Sequence, residues 1–339
     1  MLVGMSSEEK PLRRWTIGSL LVIALLVYGV PGTGVSVADR ARPVRIGALT
    51  PSWGPTPMIV GMRDGLLEFG YRKDVDFVLG VRFTQGDIHA LDAAAHELVQ
   101  DGVDLLFVDM DKAALAAQQA TTEIPIVFAA VTDPIGMGLA QSFAKPGGNI
   151  TGVTDMELHL GPKRLQMFKE MLPHLQRLWF PYDAADTYGV AMSKVYRDAA
   201  EKLGITLVAR ALRTPEEARA VLAQLRNSEV DGILSPFSLS LNIPGLILEA
   251  AAQQGIPTMF SSTFFPETQG ALASYAPNTY ETGKQAARLV DKILKGTKPA
   301  DIPVEVNSKI EFVINLKTAK ALGLTIAPEV LYQADRLIR

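Results

Sequence analysis

The 339-residue chain predicts an α/β fold: two doubly wound parallel-sheet lobes joined by a multi-strand hinge, behind an N-terminal signal peptide. Three observations predict it. Strand-like and helix-like stretches alternate. The alternation occurs twice, at a spacing of about 130 residues, too long for a solenoid. Chain left over after the second set has to be placed back on both.

The first set runs VRIGAL from Val44, DFVLGVRF from Asp76, DLLFV from Asp104 and PIVFAA from Pro125. Between the first two, Thr56 caps a helix with Pro57 at its first position, Ile59, Met62, Leu66 and Phe69 make the buried stripe, and Gly70 stops it. Further helical patterns lie near 89–101 and 111–120. Strands alternating with such helices read as a parallel sheet covered on both faces. The second set runs QRLWF from Gln176, ITLVAR from Ile205, DGILS from Asp231 and PTMF from Pro257, with helices near 187–203, 215–226 and 243–254. Thr214-Pro215-Glu216-Glu217 is a capping signature for the middle one.

Between the sets, "DPIGMGLAQSFAKPGGNITGV" (133–153) holds five glycines. Gly136-Met137-Gly138 begins like a dinucleotide fingerprint, but Gln141 stands where the third glycine belongs, and no G-x-x-x-x-G-K-[ST] occurs. The stretch reads as a short helix, 137–144, followed by the strand NITGV, which leaves lobe one for lobe two. A helix over 162–172 follows. After the second set come a strand at 271–275, a long amphipathic helix capped by Asn278 and Glu281, two short strands near 302–306 and 310–314, and a helix at 316–322. The predicted division is residues 1–38 as signal peptide, lobe 1 at 43–153 with about 277–305 returning to it, and lobe 2 at 154–276 with about 310–339. Several crossings make a hinge, and a hinge between two lobes makes a closing cleft.

The signal-peptide reading rests on Arg13-Arg14, the apolar run Trp15–Val30, the turn-formers Pro31-Gly32-Thr33-Gly34 and the small-x-small site Ser36-Val37-Ala38. The apolar run is about 16 residues, short of the roughly 20 that span a bilayer; an uncleaved anchor is the alternative. There is no cysteine, which excludes disulfides, thiolate metal sites and a Cys nucleophile. The net charge is −3 and no basic stripe is visible, so nucleic acid is not an expected partner. The four histidines are His89, His96, His159 and His174. His96-Glu97 lacks the second His of H-E-x-x-H, and no G-x-S-x-G occurs. No catalytic residue, metal site or cofactor is assigned.

In open parallel sheets ligands bind beyond the carboxyl ends of the strands, near helix N-termini. That places the candidate ligand contacts on loops paired by the repeat: Ser52 and Trp53 with Tyr182 and Asp183; Asp109, Met110 and Asp111 with Phe237 and Ser238; Thr132 and Asp133 with Ser262 and Thr263; and Tyr275. Each has a plainer reading. Trp53 is a stacking platform or a packing plug. Thr56, Asp111, Ser262 and Thr263 are caps or donors, Asp133 is a turn-former before Pro134, and the tyrosines line cleft or core.

Four stretches carry a resemblance: "GLLEFGY" (65–71), "ATTEIPIVFAAVTDPIGMGLAQSFAKPGGNITGV" (120–153), "GALASYAPNTYETGKQAARLVDKILKGTKPADIPVE" (270–305) and "FVINLKTAKALGLTI" (312–326). The chain from Val44 onward resembles the substrate-binding proteins of ABC transporters that include tryptophan- and tyrosine-binding members. The resemblance implies a type I periplasmic-binding-protein fold with three crossings, and a monomeric extracytoplasmic protein. That protein would deliver a small molecule to a membrane permease driven by an ATPase subunit, with no catalysis of its own. The expected ligand is an amino acid or related carboxylate: helix N-termini and hydroxyls for the carboxylate, Asp109 or Asp111 for an amine, Trp53 or a tyrosine for an apolar side chain. A tethered sensory receptor is the alternative, and an enzyme on this architecture the remote one. Where this family has a loop of small residues, the chain has Val108-Asp109-Met110-Asp111-Lys112, and Gln269-Gly270-Ala271-Leu272-Ala273-Ser274-Tyr275-Ala276 departs from the usual Gly-Gly-Leu before Ser-Tyr-Gly. The first departure puts charge on the predicted cleft wall.

Overall fold

The structure, a computed structural model, describes residues 42–236 and 240–339. The proposed signal peptide, Phe237 and Ser238 lie outside the described residues.

Two sheets form. The first uses β1 (Val44–Thr50), β2 (Phe77–Phe83), β3 (Leu105–Asp109), β4 (Ile126–Val131), β5 (Ile150–Thr154) and, from far along the chain, β11 (Glu305–Val306), in the order β11-β5-β4-β3-β1-β2. All its pairings are parallel. The second uses β6 (Arg177–Asp183), β7 (Thr206–Leu212), β8 (Gly232–Leu234), β9 (Thr258–Phe260), β10 (Ala273–Pro277), β12 (Ile310–Asn315) and β13 (Arg336–Ile338), in the order β13-β12-β10-β9-β8-β6-β7. It is parallel except where β12 runs antiparallel to β10. The order 2-1-3-4-5 of the first sheet recurs as 7-6-8-9-10 in the second, so the repeat read in the sequence is a repeat of topology.

Helices cover both faces of each sheet. α1 (Pro57–Glu68) and α9 (Thr279–Leu294) close one face of the first sheet, over Ile46, Phe107 and Val127; α2 (Leu91–Gln100) and α3 (Asp111–Ala120) close the other, over Leu49, Leu106 and Phe128. On the second sheet, α4 (Glu157–Met171), α5 (Thr187–Lys202), α10 (Leu316–Ala321) and α11 (Pro328–Gln333) lie on one face, and α6 (Pro215–Gln224) and α7 (Ile243–Gln254) on the other. The short α8 (Phe264–Thr268) follows β9. α9 returns to the first sheet because α1 receives it at backbone distance: a Cβ at Gly61 would meet the Tyr280 carbonyl, and one at Gly283 the Met58 carbonyl, both at 2.0 Å. Only glycine permits that approach.

The chain passes between the sheets three times, at 155–156, at Asn278 and at 307–309. The straps are tied laterally. The Asn307 amide donates to the Thr154 carbonyl at 2.7 Å, the Asn278 amide to the Lys309 carbonyl at 2.9 Å, and the Asn278 side chain to Glu311 Oε1 at 2.9 Å. Asn307 also bonds the Thr282 hydroxyl.

Two helix expectations are corrected. Residues 137–144 form turns, not a helix: Gly138 takes a φ of +72°, and the Leu139 and Ala140 amides both turn back to the Pro134 carbonyl at 2.9 Å. α4 begins at Glu157, with Pro162 inside it. The Glu157 carboxylate is drawn into the interior by Arg164, two turns on, which holds the first turn that the Gly161-Pro162 pair disguises.

Candidate ligand cleft

Strand order reverses between β1 and β3 in the first sheet, and between β6 and β8 in the second. The crevice at such a point is where open α/β sheets take ligands. β1 ends at Thr50 and β3 at Asp109, and Asp109 is fully buried. The Thr56 hydroxyl at the head of α1 donates to Asp109 Oδ2. The same Thr56 oxygen accepts the Ile59 amide at 3.4 Å, so it is cap and donor at once. The Thr50 hydroxyl is directed to Ser52 Oγ at 3.1 Å, and Asp109 Oδ1 accepts no hydrogen bond. Burial pushes the Asp109 carboxyl up to about 6, against the pull of the Thr56 and Thr50 hydroxyls.

Met110 follows with φ +69°, a left-handed conformation that costs a non-glycine residue on the order of 1–3 kcal/mol. Ala130 (φ +56°) at the end of β4 and Met156 (φ +48°) in the first strap share it. Met110 lies between Asp109 and Asp111, and Met156 lies between Asp155 and Glu157. Asp111 Oδ1 accepts the Thr132 amide at 2.8 Å. The Thr154 hydroxyl donates to the Val131 carbonyl at 2.6 Å and accepts the Met156 amide at 3.2 Å, which ties the β4 end to the strap. On the strap, Asp155 is 2% exposed; its Oδ1 accepts the Glu157 amide at 3.3 Å and its Oδ2 accepts nothing. From the second sheet, Asp186 caps α5 by accepting the Tyr188 amide at 3.2 Å.

These carboxylates act on one another. Burial pushes Asp111 up, the Thr132 amide and hydroxyl pull it down, and Asp186 of the other sheet pushes it up again. Burial pushes Asp155 well above the carboxylate range, and Glu157 and Asp111 add to it. Asp111, Asp155 and Asp186, from the first sheet, the strap and the second sheet, therefore share one electrostatic environment.

Beside them lies a compensated charge. Arg164 Nη2 donates to both Glu157 oxygens at 2.8 Å, Nη1 to the Tyr196 hydroxyl at 3.0 Å and Nε to the Tyr275 carbonyl at 2.7 Å. The Tyr188 hydroxyl donates to Glu157 Oε2 at 3.3 Å. Both charged side chains are fully buried. Burial opposes the Arg164 charge most strongly, but Glu157 together with Tyr196 and Tyr188 outweighs it and the Arg164 pKa rises. The pair bolts the first strap to β10, the strand that leads into the second.

The remaining sequence candidates fall into place individually. Trp53 is 67% exposed, its ring lying over the loop after β2: a Cβ at Gly86 would stand 2.8 Å from the ring, and Gly86 also takes φ +87°. Ser52 Oγ donates to the Gly54 carbonyl. Asp133 folds onto its own turn, accepting the Gly136 amide at 2.8 Å. Asp183 does the same with Ala185 at 2.8 Å. The Tyr182 ring stacks on Phe180 at 5.7 Å, and the Tyr275 ring meets Phe312 edge-on at 6.5 Å, in the core of the second sheet. Ser262 accepts the Phe264 amide at 3.4 Å; Thr263 is buried, and Phe264 beside it is 48% exposed. The structure thus joins Asp109 to Thr56 and Asp111 to Thr132, and places Asp111 within the electrostatic reach of Asp186. Sequence reasoning missed Asp155, Asp186, Glu157 and Arg164. Asp186 carried a signal, an Asp directly before a helical stretch; a charge buried by a residue seven positions away carried none.

The chain belongs to the family of ABC transporter substrate binding proteins, whose model matches residues 56–338. It is 28% identical over 265 residues to a tyrosine-binding protein of Clostridioides difficile (strain R20291), covering 78% of this chain and 76% of that one. Its fold superposes with a TM-score of 0.78, at 29% identity, on the ABC domain in complex with L-Trp from Streptococcus pneumonia, covering 87% of this chain and 100% of that one. A conserved domain protein from Vibrio cholerae gives a TM-score of 0.79 at 27% identity, over 88% of this chain and 100% of that one. The architecture is the type I periplasmic-binding-protein fold.

Proposed function

We propose that this protein is the extracytoplasmic solute receptor of an ABC importer, which closes over a small amine-bearing organic molecule and presents the closed form to a permease with its ATPase subunit. The observation that carries the reading is a pair of helix-opening carboxylates, Asp111 holding the Thr132 amide of the first sheet and Asp186 holding the Tyr188 amide of the second, with Asp186 raising Asp111 through its charge. A ligand touching both walls is bound fully only when the halves are together, so its binding energy shifts the open–closed equilibrium. Asp109, Asp111 and Asp155 supply acceptors for an ammonium. Trp53 on one rim supplies an apolar face, and Ser52, Met110, Thr132, Tyr182, Asp183, Ser262 and Thr263 complete the walls. Relatives that bind tyrosine and tryptophan support this class of ligand. Export by the N-terminal segment, monomeric action and absence of catalysis belong to the same proposal, with the lobes divided at the straps. A thermal-shift screen with amino acids and their amines is expected to raise the melting temperature of the protein but not of Asp111→Ala; no shift with any compound contradicts it.

A further inference from the structure

The loops at the strand ends are unequal in charge. Residues 51–56, 109–112, 132–136, 155–156, 183–186, 261–263 and the third strap 307–309 carry the aspartates Asp109, Asp111, Asp133, Asp155, Asp183 and Asp186 against Lys112 and Lys309, and Lys309 is paired with Glu311 at 3.1 Å. The buried Arg164 has its guanidinium committed to Glu157, Tyr196 and the Tyr275 carbonyl. A zwitterionic amino acid brings a carboxylate as well as an ammonium, and its carboxylate needs donors. In open α/β sheets those donors are the free amides at helix and turn openings.

Here the protein's own oxygens hold those amides. Asp111 takes the Thr132 amide, Asp155 the Glu157 amide and Asp186 the Tyr188 amide. Asp133 and Asp183 take Gly136 and Ala185 in the same manner. Thr56 and Ser262 hold the amides of Ile59 and Phe264. α3 and α7 open without a side-chain cap, and Asp111 is the first residue of α3. A ligand carboxylate placed at the opening of α3 meets a like charge, which is destabilising in a site of low dielectric.

A second observation points to a ligand. Asp109 Oδ1 and Asp155 Oδ2 are buried carboxylate oxygens with no donor, on side chains that are 0% and 2% exposed. Buried polar atoms are satisfied almost everywhere in folded proteins, and an exception calls for a partner. Among the described residues, no three His, Cys, Asp or Glu side chains converge to hold a metal ion. The cation that fits is thus an ammonium, which supplies several donors from one centre. Trp53 in the loop after β1 and Phe264 at the start of α8, both exposed aromatic side chains, give the rest of the molecule a ring to lie on.

We infer that the cleft selects aromatic amines with a net positive charge, of the tyramine and tryptamine kind, over the zwitterionic amino acids with the same ring. This rests on the receptor reading above and names its substrate class. The test is calorimetric titration of the full chain at pH 7.5 with tyramine, tryptamine, tyrosine, tryptophan and 4-hydroxyphenylacetate, and of Asp111→Asn and Asp186→Asn with the same set. The expected result is an amine at least about tenfold tighter than its amino acid, no binding of the aryl acetate, and an advantage that shrinks in both variants while their melting temperatures hold. Amino acids binding as tightly as the amines, or calcium binding in their place, overturns the inference and leaves the receptor reading standing. If no compound of either kind binds, both fall.

Discussion

Asp155 on the first strap and Glu157 at the head of α4 are both buried, two residues apart, and they are treated in opposite ways. Glu157 is matched by Arg164, and the guanidinium is satisfied on every side by Glu157, Tyr196 and the Tyr275 carbonyl. Asp155, two residues earlier, and Asp109 at the end of β3 are as deeply buried, and each keeps an oxygen without a donor. The first set is a joint that holds one half of the protein to its hinge. The second opposes folding unless a cation arrives, which is how a protein stores affinity at the expense of stability.

The largest effect that separates the sets is expected from Arg164→Met. It leaves Glu157 buried and unpaired, and breaking such a pair costs about 3–5 kcal/mol. Urea denaturation is expected to show that loss; a change below about 1 kcal/mol breaks the comparison. Asp109→Asn is expected to go the other way. The native carboxyl titrates at about 6 rather than 3.8, so the native state holds the proton more firmly than the unfolded chain. The wild-type stability contributed by this group is full below pH 3.8 and declines as pH rises to about 6. A tenfold difference in proton affinity between the two states is worth about 1.36 kcal/mol. The variant, which escapes that decline, is expected to gain up to about 3 kcal/mol at pH 7 and nothing at pH 3.5, while binding amines more weakly. Equal stability at both pH values sinks the idea.

Smaller effects sharpen the contrast between walls and rims. Trp53→Ala removes an exposed ring, so stability is expected to move by less than about 0.5 kcal/mol while ligand affinity falls about tenfold. A destabilisation above about 2 kcal/mol makes Trp53 a packing residue instead. The least effect is expected from Asp133→Ala, which loses the cap on its own turn, at most about 1 kcal/mol by melting, with affinity changed less than threefold. A larger loss of affinity moves Asp133 into the cleft.

The fold was legible because its information is periodic. Each strand and helix of the two sets has its own apolar pattern, and the spacing of the sets exposes the repeat even where boundaries drift. α3 and α7 occupy the residues expected of them, 111–120 and 243–254. The errors fell where local signals mislead. Residues 137–144 look like a short helix and are turns about Gly138, and Pro162 looks like a helix start and is tolerated inside α4. The site was legible in part. Asp109 and Asp111 stood out as charges at a strand end, and Thr56 as a cap, although its second bond to Asp109 needed the structure. Asp155, Asp186 and the Glu157–Arg164 pair were not legible, since their roles come from packing between the two sheets and the straps.

The central claim is that ligand draws two similar halves together about the three straps. Small-angle X-ray scattering of the protein with and without a saturating bound amine tests it most directly. The account predicts a smaller radius of gyration and a shortened maximum dimension with ligand, and no such contraction for Asp111→Asn. Superimposable curves at proven saturation would contradict it.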